Sequence, residues 1–268
     1  MKILFLGDIV GDVGFKAVKN NLPEIVKSNK IDFVCVNAEN AASEGMGLTE
    51  NITSELYNIG VDVITTGNHV WDKKEIFDLI KEEKKLLRPL NFEGDMPGNG
   101  FSIFNSKKNL RVGVLNLIGN VFMKKSNNVF QVALEFIEKK KINKNYDFLI
   151  VDFHAEATSE KMAIGKLFDG FATLVVGTHT HVPTNDARIL KKGTAYITDA
   201  GMCGIYDSVV GMDANNSINK FLKKESSKHF PAKGHATLSG VIVECNLRNG
   251  LAKNIKSLIL GGDLQHIR

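Results

Sequence analysis

The sequence is poor in the residues that staple small secreted folds: 268 residues contain 3 cysteines, 5 prolines and one tryptophan. Cys35, Cys203 and Cys245 are odd in number, widely spaced and form no Cys-x-x-Cys pair. That argues against a disulfide framework and a structural zinc site, and it favours a reducing, cytoplasmic setting. Cys35 and Cys245 sit in apolar, strand-like runs and read as core. Cys203, in Gly201-Met202-Cys203-Gly204, reads as a loop residue whose thiol could be exposed, with no base beside it. No apolar run reaches the roughly 18 residues of a membrane span, and the run from Met1 to Gly7 is too short for a signal peptide. Charge of one sign is also scarce: Lys plus Arg number 34 against 30 Asp plus Glu, a net +4. This permits an anionic substrate but gives little support for a stable nucleic-acid complex. Lys139-Lys140-Lys141 reads as the solvated face of a helix. Gly7, Gly11 and Gly14 do not have the G-x-G-x-x-G spacing of a dinucleotide site. Neither G-x-x-x-x-G-K-[ST] nor G-x-S-x-G occurs, which leaves the P-loop and nucleophile-elbow readings without support.

What is present is a regular alternation. Ile3–Leu6, Phe33–Val36 and Val61–Thr65 read as strands. Between and after them come helices at Phe15–Lys27, from an N-cap at Thr49 to about Ile59, and over Lys73–Lys85. This βαβαβα order implies parallel strands with right-handed crossovers. Strands follow at Phe101–Phe104 and Val112–Leu117 around a turn at Ser106–Asn109. A helix over Val129–Lys139 leads to a strand at Phe148–Phe153, and one at Ser159–Phe168 leads to Leu174–Val176. The last third is richer in strands: Arg188–Leu190, Thr194–Thr198, Leu238–Glu244 and Ile255–Leu260. Turn chemistry lies at Lys192-Gly193 and Asn249-Gly250, and a helix at Ser217–Lys224. Without repeats, low-complexity tracts or linkers, residues 1–268 read as one α/β domain. The expected architecture is two mixed sheets stacked face to face with helices outside, a four-layer α-β-β-α sandwich.

Residues able to hold a metal recur just after these strands. Asp8 follows the first, Glu39 and Asn40 the second, Asn68 and His69 the third, and His154 the strand ending at Phe153. His179 and His181 follow the last, in Gly177-Thr178-His179-Thr180-His181. An extended backbone would turn both of these imidazoles to one side. Asp8, Glu39 and Asn68 are separated by about 30 residues, the length of a βαβ unit, which puts them on one edge of a parallel sheet. Each alone has a plain explanation: Asp8 a turn, Asn40 a cap, His154 a satisfied core histidine, His69 a helix N-cap neighbour facing solvent. Their joint recurrence at successive strand ends points to a metal site at the carboxyl edge, where open α/β sheets place their chemistry.

In this order the motifs resemble the calcineurin-like metallophosphoesterases, and in detail the bacterial YmdB-like 2′,3′-cyclic-nucleotide 2′-phosphodiesterases. The resemblance rests on Asn37-Ala38-Glu39-Asn40-Ala41-Ala42, on Gly67-Asn68-His69-Val70-Trp71-Asp72 and on Asp152-Phe153-His154-Ala155-Glu156-Ala157-Thr158-Ser159-Glu160-Lys161. Gly177-Thr178-His179-Thr180-His181 and Gly211-Met212-Asp213 extend it over nearly the whole chain. There are departures: the superfamily's Asp-x-His is Asp8-x-Val10, its bridging Asp is Glu39, and Val70 stands where many relatives have an acidic residue after Gly-Asn-His. The resemblance implies two metal ions. Asp8, Glu39, Asn40 and His181 would hold one; Glu39 would bridge to a second, completed by Asn68, His154 and His179. Iron or manganese fits this donor set best, with zinc as the alternative. A hydroxide bridging metals about 3.5–4 Å apart would attack phosphorus, with His69 as general acid to the departing sugar oxygen. The implied reaction opens nucleoside 2′,3′-cyclic phosphates to 3′-phosphates. A related nuclease or phosphomonoesterase, and a regulatory protein with little turnover on the same fold, are the alternatives. The family leans toward homo-oligomers. Arg88 is a candidate phosphate or base contact or a structural residue; His229, His235 and His266 lie outside the motifs.

Overall fold

The computed structural model describes residues 1–224 and 230–264, so His229 and His266 lie outside the described residues. The first strand, β1 (Lys2–Leu6), shows how the layers arise. Successive side chains of a strand point to opposite faces. Leu4 and Leu6 therefore enter one core, with Phe15, Val18 and Leu22 of helix α1 (Gly11–Asn29). Ile3 and Phe5 enter another, facing the second sheet. Strand β3 (Phe33–Asn37) divides the same way, Val34 and Val36 outward and Phe33 and Cys35 inward. In the second sheet, β7 (Phe148–His154) sends Phe148 and Ile150 to the shared core. Its Leu149, Val151 and Phe153 go to a third core, beneath helices α4 (Val129–Lys139) and α5 (Thr158–Leu167). Two sheets with an apolar filling and a helical layer on each outer face follow directly, as expected from the sequence.

The remaining elements of the first half are β2 (Asp8–Ile9), α2 (Glu50–Asn58), β4 (Val63–Thr65), α3 (Ile76–Glu82), β5 (Phe101–Asn105) and β6 (Arg111–Ile118). The second half adds β8 (Leu174–Thr178), β9 (Arg188–Ile189), β10 (Ala195–Ile197), β11 (Met202–Cys203), α6 (Ala214–Phe221), β12 (Leu238–Cys245) and β13 (Ala252–Leu260). One sheet runs β13-β12-β1-β3-β4 and the other β5-β6-β7-β8-β10-β9. Strands β1, β3 and β4 are parallel, as are β6, β7, β8 and β10; the outer strands are antiparallel. Both parallel cores thus bring their carboxyl ends to one edge. Caps fix several helix starts: Thr49 Oγ1 accepts from Ile52 N, and Asn128 Oδ1 from Phe130 N and Gln131 N. Asp213 Oδ1 accepts from Asn216 N, which starts α6 earlier than the apolar spacing suggested.

A third, two-stranded sheet was not anticipated: β2 pairs in parallel with β11. It corrects the reading of Cys203. That residue is fully buried in β11, its Sγ donates to Ser239 O at 3.6 Å, and burial pushes the thiol up to about 12. Among the described residues no helix is long and apolar enough to cross a membrane.

Candidate active site

Asp8, Glu39, Asn40, Asn68, His154, His179 and His181 converge where the parallel strands end. The imidazole of His154 is wholly buried. Its Nε2 lies 2.9 Å from Glu39 Oε1, 3.0 Å from Asn68 Oδ1 and 3.0 Å from His179 Nδ1. A ring nitrogen carries either one proton or one lone pair, so it cannot satisfy three such neighbours at once. Donor atoms from Glu39, His154 and His179 all lie within 4.8 Å of one another. Alongside, Asp8 Oδ1 and Asn40 Oδ1 are buried without a hydrogen-bond partner. His181 Nε2 stands 3.9 Å from Asp8 Oδ1 and 3.2 Å from the Asn40 amide. Orphaned buried oxygens and over-subscribed imidazoles are the arrangement a cation resolves. Carboxylate and amide oxygens with imidazole nitrogens suit borderline and hard divalent ions.

The electrostatics lead to the same conclusion. Burial opposes a charged His154, but Glu39, Asp8 and Asp152 outweigh it and hold the imidazole up at about 9. Burial would raise Glu39, yet His154 and His69 bring it down to about 2. Burial raises Asp8, and it raises Asp152 to about 6. His179 is driven down to about 3, first by burial and then by His154. Three buried acids around the few available donors form a pocket of negative potential that calls for positive charge.

Outer contacts orient the donors. His181 Nδ1 donates to Val210 O at 2.8 Å, which leaves the Nε2 lone pair facing the Asn40 amide and Asp8. His154 Nδ1 faces Thr178 Oγ1 at 3.0 Å, and that hydroxyl donates to Asp152 Oδ1 at 2.7 Å. Asn37 Nδ2 also donates to Asp152, at 3.0 Å. The far nitrogen of His179 meets Glu156 Oε2 at 3.2 Å. The His-x-His pair is not extended. His179 and His181 have φ of 98° and 64°, left-handed values costly for residues with a Cβ. The loop carrying them is held from below: Asp199 Oδ2 accepts from Thr180 N and Thr180 Oγ1, and from the buried Lys161 Nζ at 2.6 Å. Two glycines allow this crowding. A Cβ on Gly67 would lie 2.2 Å from the His154 ring, and one on Gly177 would lie 1.8 Å from Thr198 O.

Glu39, Asn40, His179 and His181 floor a cleft of about 560 Å³, bordered by Met46, His69, Glu156 and Val182 among others. His69 stands apart from the cluster. Its backbone N donates to Glu39 Oε2 at 2.9 Å, and its Nδ1 meets Asp72 Oδ2 at 2.7 Å. The carboxylate that Val70 cannot supply is thus provided three residues from the histidine. The structure brings His69 and all seven candidate metal ligands to this cleft or to the cluster beneath it. It leaves Arg88 out: that guanidinium donates to the carbonyls of Pro89, Leu90, Met96 and Pro97 and is structural. His235 is exposed. Asp199, Val210 and Lys124, whose Nζ donates to Asn68 O at 2.8 Å, had no role in the sequence reading; Lys161 and Asp72 stood inside the quoted motifs without one.

Known proteins resemble the chain over nearly its whole length. The family model described as YmdB-like protein matches residues 4–258. The chain is 44% identical over 263 residues to a 2′,3′-cyclic-nucleotide 2′-phosphodiesterase of Bacillus subtilis (strain 168), covering 98% of each chain. A crystal structure of a novel phosphatase from Mycoplasma pneumoniae superposes with a TM-score of 0.90 at 38% identity, over 98% of this chain and 94% of that one. A hypothetical protein from Thermus thermophilus also gives 0.90, at 36% identity, over 98% of this chain and all of its own (100%).

Proposed function

The chain belongs to the YmdB-like family, and from that premise we propose that it hydrolyses nucleoside 2′,3′-cyclic phosphates at the 2′ bond, releasing 3′-phosphates. The observation that carries the reading is the convergence of Glu39, Asn68 and His179 on one nitrogen of His154, beside the orphaned oxygens of Asp8 and Asn40. Asp8, Glu39, Asn40 and His181 would hold one metal ion. Glu39, Asn68, His154 and His179 would hold a second. Iron or manganese is favoured by the mixed oxygen and imidazole set, with zinc as the competitor. When bound, such ions lower the pKa of a water to near neutrality and neutralise charge on the phosphoryl oxygens.

The protein's own part is positioning and proton supply. Glu39 orients His69 through the backbone N, and Asp72 fixes the ring by its Nδ1, so that Nε2 is free for the cleft. There it gives its proton to the 2′ oxygen as the phosphorus–oxygen bond breaks. The five-membered cyclic ester is strained, so this leaving group asks less of the acid than a 3′,5′ diester would. A soluble cytoplasmic nucleotide pool and a homo-oligomeric enzyme belong to the same reading.

The test is steady-state assay of the manganese- or iron-loaded chain on 2′,3′-cyclic nucleotides, linear RNA and nucleoside monophosphates, with products identified by phosphorus NMR. We expect turnover of the cyclic substrates to 3′-phosphates. Turnover of linear RNA alone would replace this reading with a nuclease, and turnover of monophosphates alone with a phosphomonoesterase.

A further inference from the structure

We infer that the cleft wall formed by Met46, Val182, Val210 and Met212 seats the substrate's nucleobase, and that it accepts any base by its flat face. The inference rests on the cyclic-nucleotide reading above. A nucleoside 2′,3′-cyclic phosphate carries its base on the side of the ribose remote from the phosphate. A phosphate seated on the floor of Glu39, Asn40 and His181 therefore presents the base to an adjoining wall. The volume of about 560 Å³ accommodates such a molecule.

The wall is contiguous with the floor at two points. Val182 follows His181 in the chain and remains 57% exposed. Val210 is 48% exposed, and its carbonyl is the acceptor that orients His181. Val210 has φ of 49°, a conformation that a β-branched residue adopts only under strain. The backbone around it is pinned: Val209 N donates to Met212 O, Met212 N to Val209 O, and Gly211 N to Ser208 Oγ. The opposite side meets this loop directly. A Cβ on Gly45, next to Met46, would lie 2.9 Å from Met212 Cε. Two thioethers and two valines thus stand in a cleft whose floor is polar. Aliphatic groups held open beside a charged floor are characteristic of ligand sites.

The chemistry of these side chains predicts how they discriminate. Thioether sulfur contacts aromatic rings favourably, and valine packs on a ring face. Neither offers the donors or acceptors that read a base edge. Every base has such a face, so recognition by face tolerates all of them.

The experiment compares kcat/KM for the four 2′,3′-cyclic nucleotides with that for methyl riboside 2′,3′-cyclic phosphate, which lacks a base. It uses the metal-loaded wild type, Met46→Ala with Met212→Ala, and Met46→Leu with Met212→Leu. Sedimentation records the oligomeric state of each. In the wild type, base-bearing substrates should exceed the base-less one by at least about tenfold, with less than about tenfold spread among bases. The alanine pair should lower that preference by roughly tenfold, chiefly in KM, and the leucine pair should keep most of it. A spread among bases beyond about 100-fold would overturn the inference, because hydrogen-bonded readout would then be present. So would an equal loss on base-bearing and base-less substrates. A change of oligomeric state in the alanine pair would overturn it too, by making the wall an interface between copies. A wild type inert on every cyclic substrate would sink the functional reading, and the inference with it.

Discussion

The two donor sets proposed for the site are built by different means. Around His154 the ligand atoms are already drawn together, at 2.9–3.0 Å from one nitrogen. The centre of that set, His154, inherits its order from the sheet. His154 pairs with Thr178 in the β7–β8 register, and Thr178 carries the contact on to Asp152. Around Asp8 the atoms stand apart, with two orphaned oxygens and His181 Nε2 3.9 Å from the Asp8 carboxylate. Its one imidazole, His181, sits on the left-handed loop that also carries His179, and a single hydrogen bond to Val210 O orients its ring. Strand register is a cooperative property of the core, whereas a strained loop is held by a few named contacts. The imidazole-rich set should therefore keep its geometry without metal, and the oxygen-rich set should depend on its ion.

The most drastic way to break this contrast is Glu39→Gln, since Glu39 is proposed to serve both sets. We expect kcat/KM to fall on the order of 10³-fold, the scale of losing a main electrostatic element, with both ions weakened in elemental analysis. His181→Ala separates the sets: affinity of the oxygen-rich site should fall by about 100-fold, while the other stays within about threefold, as read by two-site calorimetric titration. Equal weakening would show that the two are one cooperative unit. Asp152→Asn works in the opposite sense, weakening the imidazole-rich site by roughly 10- to 100-fold through Thr178 and His154. Asp72→Asn leaves both ions in place and should lower the rate by about tenfold with an alkoxide leaving group. With p-nitrophenolate, which needs no proton, the loss should stay under about twofold.

The smallest effect is on the metal-free chain. Glu39 sits at about 2, below its ordinary 4.5, so its contribution is present above pH 4.5 and lost as pH falls toward 2. His154 sits at about 9, above its ordinary 6.5, so its contribution is present below pH 6.5 and lost as pH rises through 9. Melting temperature should decline on both flanks by about 5 °C, and bound metal should flatten the high-pH flank.

The contrast also explains what could be seen in the sequence. Strands announced themselves by apolar runs, and the candidate ligands by their place after those runs; Asp8, Glu39, Asn68 and His154 were marked in that way. Helix α4 and the hairpin of β12 and β13 were legible because their signals are local, an amphipathic period and an Asn-Gly turn. The two-residue strands β2 and β11 were not, since pairing between Asp8 and Met202 is purely tertiary. Cys203 was misjudged for the same reason. Asp72 and Lys161 lay inside quoted motifs without a visible role. Their function depends on where a turn or a helix points a side chain, and spacing alone does not encode that. Val210 acts through a carbonyl, which every residue has, so no side-chain pattern marks it.

The pair Lys161 and Asp199 has a consequence for how such a protein changes over generations. Both are about 1% exposed, and the carboxylate that receives the ammonium also holds Thr180 between the two histidines. Removing one partner strands a buried charge and threatens the fold, but exchanging both for apolar groups of similar bulk need not. Selection for stability alone would not detect that double exchange. The loop between the histidines would lose its anchor while the sandwich stayed intact. A lineage could in this way drift from enzyme to inert scaffold by two substitutions, neither of them at a proposed metal ligand.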